Sequence, residues 1–143
     1  MQKIAKLRRS RPGAVGVGCA AVLALIALAG CGGSSKPAYC SARANLENSV
    51  KGLTSLNVSS GISGLQAQLT KIQSDANAVI SSAKGDFPNE TSAIQSSLSA
   101  LEASARAVAS NPSAGAIATV ASDASKFVNS VTTFTNATKS KCS

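Results

Sequence analysis

The chain has 143 residues, room for one small domain of about a hundred residues once an N-terminal targeting segment is set aside. Its formal charge of +8 is uneven: Lys3, Lys6, Arg8, Arg9 and Arg11 carry five of the positive charges, and residues 31–143 hold nine Lys or Arg against six Asp or Glu. That is an ordinary surface balance, and the aromatic residues (Tyr39, Phe87, Phe127 and Phe134) do not interleave with cations to stack bases, so nucleic acid is set aside as a partner.

The first element in chain order is a basic stretch ending at Pro12-Gly13, followed by an apolar run from Ala14 to Leu28 that holds Gly16 and Gly18, then by Ala29 and Gly30. Basic, apolar and small residues in that order predict a secretory signal peptide over residues 1–30. The run is shorter than the ~20 residues of a membrane-spanning helix, and no stop-transfer cluster follows it, which favours cleavage over a permanent span. Cys19 lies inside the run and is expected to leave with it as a small apolar residue. Arg8-Arg9 fits a twin-arginine signal poorly, so general secretion is the expected route.

Leu28-Ala29-Gly30-Cys31 resembles the lipobox of bacterial lipoproteins at all four positions. The resemblance implies that the Cys31 thiolate is alkylated with a diacylglyceryl group and that a peptidase then cleaves before Cys31. It also implies a protein held on the extracytoplasmic side of the cell membrane. The residue types suit that chemistry, because a thiolate is the nucleophile that forms a thioether and small neighbours admit the peptidase. Two acyl chains anchor stably where one binds only marginally, since each buried methylene contributes ~0.8 kcal/mol.

Residues 31–38 read as a lipidated flexible linker, with Gly32-Gly33-Ser34-Ser35-Lys36-Pro37 as a polar tether. From Cys31 to Cys40 the chain spans at most about 30 Å, so the domain is expected close to the membrane. Cys40 and Cys142 are then an even pair in an oxidising compartment, and a structural disulfide is the economical reading. A redox-active pair lacks Cys-x-x-Cys spacing. A metal site is disfavoured because the chain has no histidine and its one methionine is Met1.

From Tyr39 to the end, residues 39–143, apolar residues recur at three-four spacing, the period of packed helices. The first predicted helix carries Ala42, Leu46, Val50, Leu53 and Leu56 or Asn57, with Gly52 interrupting it at a cost of roughly 1 kcal/mol relative to alanine. The second carries Ile62, Leu65, Leu69, Ile72, Ala76, Val79 and Ala83, and stops at Lys84-Gly85 with Pro88 soon after. The third carries Ile94, Leu98, Leu101, Ala105 and Val108, with Asn89 or Glu90 in its first turn. Asn111-Pro112 fits an N-cap followed by proline, opening a fourth helix along Ile117, Val120, Ala124, Phe127, Val131 and Phe134. The fold class is therefore all-α, an up-down-up-down four-helix bundle behind a cleaved signal peptide and a tether. An even number of antiparallel helices also brings Cys40 and Cys142 to the same end, as a disulfide requires.

Chemistry is sparse. Glu47, Asp75, Asp86, Glu90, Glu102 and Asp123 form no recognisable catalytic motif, and the serines sit in neither Gly-x-Ser-x-Gly nor Ser-x-x-Lys. No catalytic residue, cofactor site or metal site is assigned. Asn57-Val58-Ser59, Asn89-Glu90-Thr91 and Asn136-Ala137-Thr138 match an N-glycosylation pattern and are read as accidental. Lys36, Arg43, Lys139 and Lys141 are expected together at the tethered end, where they are solubility charges or headgroup contacts.

The expected function is a non-catalytic, membrane-anchored helical module that binds or supports another envelope protein or the cell wall. Its partner surface is expected near the turns at Asn57–Gly61 and Asn111–Ser113. The alternative is a carrier or sensor holding a small apolar ligand between its helices, which the narrow alanine-rich core disfavours; an enzyme ranks third. In its abundance of alanine and serine and its terminal cysteine pair, the body resembles small secreted lipoproteins of actinobacteria, and a prophage-encoded surface lipoprotein would look similar.

Overall fold

A computed structural model describes residues 35–55 and 61–143. The signal peptide, the lipobox and Cys31 lie outside the described residues, as does the Leu56 or Asn57 end of the first seam. Within Ser34–Ser143, which forms one compact unit, the helices are α1 (Ala38–Thr54), α2 (Gly61–Ala83), α3 (Pro88–Ser110) and α4 (Ala114–Thr138), followed by a 3₁₀ turn at Lys139–Lys141. They pack against one another as the all-α four-helix bundle that the apolar spacing predicts.

Local chemistry accounts for most of the boundaries. Pro37 precedes α1, so that helix starts at Ala38, one residue earlier than the periodicity alone suggests. Gly61 opens α2 at φ +57°, a left-handed conformation that a side chain would strain. At its other end the amides of Asp86 and Phe87 both donate to the Ala83 carbonyl, at 3.0 and 2.8 Å, and turn the chain through Lys84-Gly85. Pro88 then occupies the first turn of α3 beside Glu90.

The start of α4 differs from the expectation. Asn111 does not cap it; its amide donates to the Ala107 carbonyl at 2.9 Å and closes α3. The cap is Ser113, whose hydroxyl accepts the Ala116 amide at 3.1 Å. Proline excludes the preceding residue from helical backbone, so Asn111 is extended at φ −148° and ψ 85°, and the next good capping side chain takes over.

Gly52 also has a specific reason to be small. A Cβ there would fall 2.5 Å from Nε2 of Gln68, which donates to the Ser49 carbonyl at 2.6 Å and ties α2 to α1.

The seams fill the core unequally along their length. Leu46, Ile72, Ala76, Val79, Ala83, Ile94, Leu101, Phe127 and Phe134 are wholly buried. At the end where α1 begins and α4 finishes, Tyr39, Phe87 and Phe134 meet edge to face with centroids 5.5 to 6.5 Å apart. Such pairs contribute about 0.5–1.5 kcal/mol beyond their area. At the opposite end Ile62 and Ile117, the first residues of their seams, are 39% and 57% exposed, and Leu65, Val120 and Ala124 are half-buried.

This gradient predicts unequal mutational costs. Phe134→Ala is expected to lower the unfolding free energy by about 3–5 kcal/mol, and Ile117→Ala to change it by less than about 0.5 kcal/mol. Urea unfolding of the disulfide-bonded protein measures both, and comparable losses would mean that the Ile117 end is as closely packed as the aromatic end.

Candidate functional site

Two of the cysteines singled out by sequence meet. Cys40 in the first turn of α1 and Cys142 after the 3₁₀ turn form a disulfide with Cα atoms 5.4 Å apart, closing a sequence separation of 102 residues. The Cys142 amide is fixed by the carbonyls of Thr138 and Lys139, at 3.1 and 3.2 Å, and its own carbonyl accepts from Lys36 Nζ at 3.2 Å. Lys139 and Lys141 flank the disulfide and are exposed.

Arg43, expected as a fourth surface cation here, is instead turned into the α1–α4 seam. Its Nη1 donates to Thr138 Oγ1 at 3.3 Å, and its Nε lies 3.2 Å from Glu47 Oε1, close enough for charge attraction but not aligned as a hydrogen bond. Thr135 Oγ1 donates to the same carboxylate oxygen at 2.9 Å, so α4 supplies partners to both members of the α1 ion pair.

A second polar cluster escaped sequence reasoning. Ser49 is 1% exposed, and its hydroxyl donates to Asp75 Oδ2 on α2 while accepting from Lys71 Nζ at 2.7 Å. Lys71 also pairs with Asp75 at 2.9 Å. Burial pushes the Asp75 carboxyl up, but the hydrogen bonds from Ser49 and Lys71 and the Lys71 charge outweigh it and leave it below its ordinary value. Ser49 is sealed from solvent. The cluster is suited to locking α1 on α2.

Asp123 on α4 is similar. Lys126 donates to it at 3.0 Å and is the main cause of its lowered pKa; burial opposes this, and Ser104 on α3 adds to it.

The signal for these pairs was present in the sequence. Arg43 and Glu47, Lys71 and Asp75, and Glu102 and Arg106 are four residues apart and Asp123 and Lys126 three, the spacings at which helical side chains meet. Among the described residues no three of His, Cys, Asp or Glu gather into a metal-sized group.

Three concavities among the described residues are open surface grooves. One, of about 290 Å³, runs between α1 and α4 along Leu53, Ala124 and Val128, and another, of about 240 Å³, continues it toward Val50 and Val131. A third, also about 240 Å³, lies between α2 and α3 over Leu69 and Ala105 under a polar rim of Gln66, Gln73 and Arg106. The α1–α4 groove exists because those two helices pack least closely of the neighbouring pairs. No described helix is long and apolar enough to cross a membrane.

Both lowered carboxyls imply acid sensitivity with a definite sign. A carboxyl whose folded pKa lies below the unfolded value contributes stability above that unfolded value, near 3.8, and loses it as pH falls through the folded pKa. Stability is therefore expected to drop below about pH 4, and Asp75→Asn to make that drop shallower. Chemical unfolding from pH 7 to pH 2 tests this, and an unchanged slope in the variant would assign the acid sensitivity elsewhere.

No family model matches the chain, and no curated protein or solved structure is detectably similar to it.

Proposed function

We propose that this chain is a lipoprotein tethered through Cys31 to the extracytoplasmic face of the cell membrane, and that its bundle is a non-catalytic module binding another envelope protein. The anchoring half of the reading rests on Leu28-Ala29-Gly30-Cys31 at the end of an apolar run. The Cys40–Cys142 disulfide is compatible with an oxidising, exported setting.

One observation carries the binding half: the end remote from the disulfide presents Ile62 and Ile117 to solvent. Both are branched aliphatics at the same end of the bundle, one turn beyond the half-buried Leu65 and Val120, and apolar residues left in solvent at one end are what a protein-contact surface would use. Ile117 is 21 residues from Thr138, which puts it on the order of 30 Å along α4 from the disulfide.

A carrier of a small apolar ligand is the second reading, favoured by the groove along Leu53, Ala124 and Val128. At about 290 Å³ it sits at the lower edge of ligand-pocket sizes.

The test uses intact cells. Radiolabelled palmitate is expected in the wild-type protein and not in Cys31→Ser. A photoreactive residue at position 117 is expected to give a discrete protein adduct, and one at position 95, exposed on the half of α3 nearer the disulfide, to give none. Equal palmitate labelling of both proteins would remove the anchor. Equal adducts at both positions would remove the Ile117 end as the contact surface, and a small-molecule adduct at position 128 without a protein adduct at 117 would favour the carrier.

A further inference from the structure

We propose that Lys36, Lys139 and Lys141, grouped around the Cys40–Cys142 disulfide, are a contact surface for anionic phospholipid headgroups that seats the bundle on the membrane with its disulfide end down. The proposal rests on the reading that the chain is membrane-anchored through Cys31.

Three features of this end support it. First, the lysines come from both sides of the disulfide. Lys36 precedes α1 and is held by its 3.2 Å bond to the Cys142 carbonyl, while Lys139 and Lys141 belong to the 3₁₀ turn that follows α4. All three residues are exposed.

Second, they lack acidic partners. Among the described residues the ion pairs are Arg43–Glu47, Lys71–Asp75, Glu102–Arg106 and Asp123–Lys126, and none of them includes Lys36, Lys139 or Lys141. The side-chain carboxylates toward this end are Glu47, which is occupied by Arg43 and Thr135, and Asp86 and Glu90 on the α2–α3 side, where Lys84 also lies.

Third, the reach is short. The five residues from Cys31 to Lys36 span at most about 18 Å. A lipid-anchored chain thus lets Lys36, and with it the disulfide end that Lys36 is bonded to, come down onto the headgroups, inside the Debye length of about 8 Å at which exposed charges still attract.

Lys139 and Lys141 also lie where cations favour a helix C-terminus. That role concerns stability and predicts no dependence on lipid charge.

The experiment reads each lysine separately. Ser34–Ser143, which holds the whole core and the disulfide, is attached through an N-terminal hexahistidine to vesicles containing a few mole per cent of nickel-chelating lipid, so attachment does not depend on Cys31. The vesicles are phosphatidylcholine alone or with a third phosphatidylglycerol. Amines are acetylated at low conversion and the sites quantified by mass spectrometry.

On phosphatidylglycerol, Lys36, Lys139 and Lys141 are expected to be acetylated roughly three- to tenfold more slowly than on phosphatidylcholine, with 0.5 M salt abolishing the difference. Lys51, Lys71 and Lys126, distributed along the helices, are expected to react alike on both. Equal rates for the three lysines on the two vesicles would overturn the proposal. So would equal protection of Lys126, or the same protection on phosphatidylcholine with free phosphate. Because the attachment is artificial, these outcomes stand apart from the palmitate result, which alone decides the anchor.

Discussion

The Cys40–Cys142 disulfide closes the junction between α1 and the end of α4, the neighbouring helices that pack least closely. Sequential neighbours in the bundle share long seams, but α1 and α4 are first and last in the chain and pack only loosely, with a groove between them. The crosslink removes chain entropy from an unfolded loop of 102 residues, worth about 4–5 kcal/mol on the loop-closure estimate. For a small domain with a total stability of roughly 5–15 kcal/mol, that is a large share. Arg43, Glu47, Thr135 and Thr138 extend the same junction inward with hydrogen bonds and one ion pair, so side-chain contact between α1 and α4 is strongest where the covalent bond already holds them.

From that junction the packing weakens along the helices. Tyr39, Phe87 and Phe134 fill the space beside the disulfide, and Phe127 follows. Beyond these, the seams depend on alanine and aliphatic residues that close the gap between hairpins less completely, until Ile62 and Ile117 are left exposed. Polar contacts cross the α1–α2 and α3–α4 pairs, through Ser49 with Asp75 and Lys71, and through Ser97, which donates to Ser130 at 3.2 Å. They bind each hairpin internally and leave the α1–α4 groove to its apolar walls. The molecule is best described as two well-joined hairpins clasped at one end.

Much of this was legible in the sequence, for a physical reason. Three-four spacing of apolar residues is a property of a single helix, so the seams from Leu69 to Ala83 and from Ile94 to Val108 are where they were expected, and a bond between the start of the first helix and the end of the last fits an even number of antiparallel helices. What depends on a second helix was not legible. Ile62 and Ile117 obey the seam pattern yet stay exposed, because burial requires a neighbour that reaches them. Ser49 lies between Leu46 and Val50 and reads as surface serine until Lys71 and Asp75 are placed beside it. Gly52 reads as a defect until Gln68 occupies the space its missing side chain leaves. Arg43 reads as a surface cation because its α4 partners lie more than ninety residues away. The cap of α4 moves from Asn111 to Ser113 through a local competition, in which Pro112 makes Asn111 extended and leaves Ser113 to accept the helix amide.

The polarity of the bundle follows from the same arrangement. A clasp at one end concentrates aromatic packing there, and it also places the chain's entry, its last turn and the lysines Lys36, Lys139 and Lys141 on that end, because both termini must arrive at the disulfide. The opposite end carries no such obligation, and Ile62 and Ile117 are exposed there. An interaction surface costs less stability there than beside the disulfide, since Ile62 and Ile117 can be replaced without opening the aromatic core. Among the described residues, the contrast between the closely packed disulfide end and the exposed Ile62 and Ile117 at the other is thus a consequence of closing a thin four-helix core at one end alone.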